Sequence, residues 1–111
     1  MFKNIQRLIS VKLNTNKNLK ILSLENTFEN CENLEEFNIE GFNTENIQSM
    51  KKTFFGCKKF TTNNLYQLNT KNINDMSFMF AESGVTNIDL SKYDTSNVIK
   101  ICLICLLILN L

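Results

Sequence analysis

The feature that most constrains this chain is a pattern that returns every 26 residues. NTENIQSMKKTFFGC, Asn43 to Cys57, comes back as NTKNINDMSFMFAES, Asn69 to Ser83. The register extends well beyond the quoted pair. Phe2, Phe28, Phe54 and Phe80 are each 26 apart, as are Ile5, Cys31, Cys57 and Ser83. Further columns hold Leu8, Leu34, Phe60 and Val85, the last step one residue short, then Val11, Phe37, Asn63 and Ile88. Leu13, Ile39, Leu65 and Leu90 follow, then Asn16, Phe42, Leu68 and Tyr93. Ile21, Ile47, Ile73 and Val98, with Leu24, Met50, Met76 and Ile101, complete the set. Asn16 and Asn63 interrupt it and mark where packing should be weakest. A period between about 20 and 50 residues reads as a stack in which each unit buries its core against its neighbours.

Two local periodicities alternate inside one unit. Ile47, Met50, Phe54 and Cys57 step by three, four and three, which predicts one face of a helix. Asn46, Asn72 and Asn97 stand just before that face as N-caps, and Asp75 follows Asn72 at capping-box spacing. In LEEFNIEGF, Phe37 and Ile39 alternate as in a short strand. The expected fold is therefore α/β: a right-handed solenoid of leucine-rich-repeat type, about four coils of one short strand plus one short helix. It should occupy residues 1–98, with a divergent apolar segment at 99–111.

NDMSFMFAESGVTNIDLSKYDTSNV, Asn74 to Val98, and QSMKKTFFGCKKFTTNNLYQLNTKNI before it carry the elements MF, L-x-x-I-x-L and DTSNV in register. This pattern resembles the BspA-like leucine-rich repeat, the 26-residue repeat of bacterial surface proteins, over about residues 1–98. The resemblance implies a surface-displayed solenoid used for adhesion or protein binding, with no catalytic residues to carry over. After DTSNV the chain departs from the pattern, giving IKICLICLLILNL where a Met-Phe helix is called for. It also enters the repeat in mid-unit, so a piece of a longer repeat protein is expected.

Composition closes off most other function classes. The 111 residues include no histidine, which removes Ser-His-Asp and Cys-His nucleophile systems and every His-containing zinc site. A net charge of +1 gives no electrostatic case for nucleic acid. Three scattered glycines make no phosphate loop. MFKNIQRLIS lacks the continuous apolar core of a signal peptide. Val98 to Leu109 is apolar, but falls short of the roughly 20 residues a spanning helix needs, and Lys100 interrupts it. Membrane contact is expected only through residues 98–109, if anywhere. Cys31 and Cys57 share one slot of adjacent units and read as free, buried thiols. Cys102 and Cys105 form a lone C-x-x-C with apolar neighbours, so no metal or cofactor is expected. Glu25, Glu32 and Glu45 each lie 26 before a lysine, Lys51, Lys58 and Lys71, as acid–base steps between neighbouring units.

What remains is a surface. Outward positions of the strands flank the buried slots: Ser10, Lys12 and Asn14; Glu36, Asn38 and Glu40; Thr62, Asn64 and Tyr66; Asn87, Asp89 and Ser91. This shallow mixed-polar face suits a protein or glycan partner, since a small molecule wants a deep apolar pocket. Thr44, Thr70 and Thr95, with Asn46, Asn72 and Asn97, are expected to satisfy turn backbone along the stack. The expected function is non-enzymatic: adhesion or protein–protein recognition at a cell surface. Structural spacer repeats or an intracellular scaffold are the alternatives. Carboxylate catalysis has little to stand on.

Overall fold

The structure is a computed structural model that describes residues 2–13, 20–39, 42–61, 68–85, 94 and 96–98. Among them there are two strands, β1 (Ser10–Lys12) and β2 (Glu36–Asn38). They pair in parallel, Ser10 with Glu36, Val11 with Phe37 and Lys12 with Asn38, so each residue faces the one 26 later. Val11 and Phe37 turn into the core while their neighbours face outward, the alternation expected of a one-sided sheet.

The expected helix is absent from the described residues, and this overturns the α/β leucine-rich-repeat solenoid. In its place run back-to-back four-residue turns. The amides of Thr27, Glu29 and Cys31 donate to the carbonyls three residues before them, at 3.2, 3.3 and 3.0 Å. The alternate amides leave the turn altogether. Those of Leu24, Asn26, Phe28 and Asn30 donate to Ser49, Lys51, Thr53 and Phe55 in the next copy, at 3.0, 3.0, 3.0 and 2.7 Å. Met50, Lys52, Phe54 and Gly56 repeat the arrangement onto Asp75, Ser77, Met79 and Ala81. A helix would spend every one of these donors along its own axis. Here half of them hold one tier of turns to the next. The turns that start at Leu24 and Phe28 carry a left-handed residue at the third position, and these recur in register. Asn4, Asn30, Gly56 and Glu82 form one such column, and Asn26, Lys52 and Phe78 the other. Among the described residues Asn46 and Asn72 stand ahead of no helix, and Asp75 Oδ1 accepts from the Ser77 amide at 2.9 Å.

The apolar columns do meet. Phe2, Phe28, Phe54 and Phe80 stack nearly parallel, with centroids 5.6, 5.6 and 5.8 Å apart. Phe28, Phe54, Leu34, Ile47, Met50 and Ile73 are fully buried. Each such side chain contributes roughly 1.5–3 kcal/mol of transfer free energy, so the core rather than the short strands holds the tiers together. Thr53 is also fully buried, and its hydroxyl donates toward the carbonyls of Leu24 and Met50, at 2.9 and 2.8 Å. The shortened step before Val85 is absorbed at Gly84, whose amide donates to the Cys57 carbonyl at 3.0 Å. A Cβ there would fall on the Lys58 carbonyl oxygen.

Candidate recognition face

The turn segments explain what most of the repeated polar residues are for. Asn43, Asn69 and Asp94 each accept, through Oδ1, the amide two residues on, at 3.1, 3.1 and 3.0 Å. One column over, Ser23 and Ser49 accept the amide two residues on through Oγ, and Asp75 does so through Oδ1. Asn72 Nδ2 donates to the Glu45 carbonyl and Asn97 Nδ2 to the Lys71 carbonyl, both at 2.7 Å. Thr44 and Thr70 are buried; Thr44 accepts the Asn69 amide at 2.8 Å and Thr70 donates to the Asp94 carbonyl at 3.1 Å. At Asn69–Ile73 the repeated N-T-x-N-I phrase is thus a turn, a buried hydroxyl, a clamp onto the preceding tier and a core residue. Asn46 Nδ2 is buried without a partner among the described residues. Thr95 lies outside them.

Four of the outward strand positions can be placed. Ser10 and Lys12 on β1 and Glu36 on β2 are exposed, and Asn38 is half-buried. Parallel pairing sets Ser10 beside Glu36 and Lys12 beside Asn38. Asn14, Glu40, Thr62, Asn64, Tyr66, Asn87, Asp89 and Ser91 lie outside the described residues. Next to this face is an open groove of about 290 Å³ lined by Arg7, Ile9, Asn33, Glu35 and Lys59. Asn33 Nδ2 donates to the Gln6 carbonyl at 2.5 Å and so belongs to the scaffold. The strand-period reading missed this groove. Its signal was that positions 7, 33 and 59 share one column, just ahead of the strands.

Charge changes sign from tier to tier. Residues 2–24 hold Lys3, Arg7, Lys12, Lys17 and Lys20 with no acid, whereas 25–50 hold Glu25, Glu29, Glu32, Glu35, Glu36, Glu40 and Glu45 with no base. Residues 51–74 return to Lys51, Lys52, Lys58, Lys59 and Lys71. Of the three expected acid–base steps, the structure pairs Glu32 with Lys58, at 3.4 Å. Glu25 accepts from Ser49 Oγ instead, at 2.7 Å, and Glu45 from Asn43 Nδ2. A step outside those three joins Lys3 to the buried Glu29, at 3.0 Å. The Asn26 amide, then Lys3, holds the Glu29 carboxyl below the usual carboxylate range.

Cys31 and Cys57 are free and buried, and donate to the carbonyls of Phe2 and Phe28 at 2.9 and 3.0 Å. Burial pushes the Cys57 thiol up to about 12, and Cys31 moves the same way. Among the described residues no three acids or cysteines converge to hold a metal, and no helix is long and apolar enough to cross a membrane. Cys102, Cys105 and residues 99–111 lie outside them.

A family model described as a Mycoplasma protein of unknown function, DUF285, matches residues 1–104. The chain belongs to the DUF285 family. That assignment replaces the BspA-like resemblance, and with it the leucine-rich-repeat reading, which the helix-free turns of this DUF285 chain had already contradicted on physical grounds. No curated protein and no solved structure matches the chain.

Proposed function

We propose that this DUF285 chain is a non-enzymatic module that recognises a protein through the outward face of β1 and β2. One observation carries the reading. Asn46 aside, the repeated polar groups of the turn segments are spent on the scaffold, whereas Ser10, Lys12 and Glu36 are exposed and make no side-chain bond among the described residues. Placement at a cell surface followed from the BspA-like resemblance and goes with it; recognition rests on the face itself. An immobilised 111-residue chain, set beside a Lys12→Glu/Glu36→Lys variant, tests the idea on a Mycoplasma lysate. Both side chains are exposed, so the two proteins should melt alike. A protein enriched on the parent and reduced at least tenfold on the variant supports recognition through this face. Equal enrichment on both, or none on either, overturns it.

A further inference from the structure

The first tier leaves uncovered what the next tiers bury. Phe28, Phe54 and Phe80 are fully buried, whereas Phe2, in the same column, is half-buried and stacks on Phe28 with one face of its ring. Ile5 is 43% exposed, where Cys31 and Cys57 are fully buried. Leu8 is half-buried at the head of the column that buries Leu34 and Phe60. Among the described residues β1 pairs with β2 and has its other edge open. Three core columns and a strand edge thus run out at one end of the stack. We propose that this end takes the opposite end of a second copy of the chain, so that copies stack head to tail. The contact uses the end of the stack, not the outward strand face, and does not rest on the recognition reading.

Hydrogen bonding gives that end a direction. Asn4, Asn30 and Gly56 donate to the carbonyls of Glu29, Phe55 and Ala81, at 2.8, 2.7 and 2.9 Å. Phe2, Phe28 and Phe54 donate to Thr27, Thr53 and Met79 in the same sense. Through these turns each tier gives amides to the next and offers carbonyls to the one before. The Lys3 carbonyl heads such a column and accepts no backbone amide among the described residues. Two first tiers set face to face would oppose carbonyl to carbonyl, leaving both without donors. A head-to-tail copy meets carbonyls with amides. Charge selects the same arrangement. Residues 2–24 hold five bases and no acid, whereas 75–98 hold Asp75, Glu82, Asp89 and Asp94 against Lys92. Basic and acidic tiers already join within the chain, through Lys3 with Glu29 and Glu32 with Lys58. Two first tiers would meet with like charges, which disfavours the symmetric pair.

A head-to-tail contact does not close on itself, so it builds open-ended stacks rather than a dimer. Sedimentation velocity of the 111-residue chain at rising concentration reads this directly. The weight-average mass is expected to climb past twice 12.9 kDa without a plateau there, and added salt should lower it. Ile5→Glu turns an acid toward the incoming acidic tier and should weaken association about tenfold or more. Arg7→Glu, at an exposed base with no ion pair among the described residues, should act the same way and serves if Ile5→Glu melts below the parent. Mixing reads the direction. A variant blocked at its first tier keeps its other end, adds to a parent stack once and stops its growth, so a minority of it should lower the parent's mean mass. A monomer at every concentration, a plateau at two copies, a folded variant that associates like the parent, or a parent stack that the variant leaves unchanged overturns the proposal.

Discussion

At the scale of single residues, the two buried cysteines show how the stack handles polar atoms it cannot expose. Each thiol donates to a carbonyl of the preceding tier, Cys57 to Phe28 and Cys31 to Phe2. Only the neutral thiol can do so, and the charged form would sit in apolar surroundings without a counterion. Burial first, then the neighbouring Cys31, therefore pushes Cys57 from 9.0 up to about 12. The sign of the stability effect follows. Below pH 9 both folded and unfolded thiols are protonated, and the contribution is fully present. Between pH 9 and about 12 the unfolded thiol loses its proton while the folded one keeps it, so stability falls as pH rises. The slope is at most about 1.4 kcal/mol per pH unit. Urea titrations of the parent and of Cys57→Ala, at steps from pH 8 to 11, should keep a constant separation below pH 9 and converge above it. Parallel curves would show that Cys57 titrates in the folded state as it does in the unfolded one.

At the scale of the turn, the left-handed columns set the energetics. Asn and Gly adopt that conformation at little cost, and Asn4, Asn30 and Gly56 occupy it in three tiers. The fourth tier places Glu82 there, at φ 55°, against a penalty of about 1–2 kcal/mol for an ordinary L residue. Glu82 is exposed, so Glu82→Gly should release most of that strain. Net of the added freedom of the unfolded chain, it should raise stability by about 0.5–1 kcal/mol, read as a higher urea midpoint. Gly56→Ala should go the other way, because its Cβ would also fall on Asn30 Oδ1. The same columns show what the sequence made legible. The apolar register was readable because burial holds columns such as Phe28, Phe54 and Phe80 in place, and the alternation through Phe37 fell on β2, with Ile39 buried just past its end. The helix was misread because a three-four-three spacing also fits consecutive four-residue turns. Inward residues alone cannot tell where the alternate amides go. The distinguishing signal lay in the polar column of Asn4, Asn30 and Gly56, which N-capping left unexplained. On the candidate face, strand alternation placed Ser10, Lys12 and Glu36 outward, but the groove sits ahead of the strands and obeys no strand period.

At the scale of the whole molecule, the ring column sets how unfolding should proceed. Phe54 is fully buried and packs against Phe28 and Phe80 in the tiers on either side, at 5.6 and 5.8 Å. It also meets Phe60 at 4.2 Å and Phe37 at 5.8 Å. The tiers it bridges are joined by amides on both sides of it, Phe28 to Thr53 and Gly56 to Ala81, each at 3.0 or 2.9 Å. Those bonds persist only while the rings exclude water, because a solvated amide exchanges its partner at little net cost. Phe54→Ala should therefore cost about 3–5 kcal/mol, a large share of the roughly 5–15 kcal/mol typical of a domain. The loss should be shared, with the Phe28 and Gly56 amides losing hydrogen-exchange protection together. Phe78→Ala makes the contrast, since Phe78 is 38% exposed and holds a left-handed φ that suits alanine no better than phenylalanine. Its midpoint should move far less. A Phe54→Ala protein that melts like the parent, or that loses protection at Gly56 while Phe28 keeps it, would mean the tiers fold independently and the ring column does not join them.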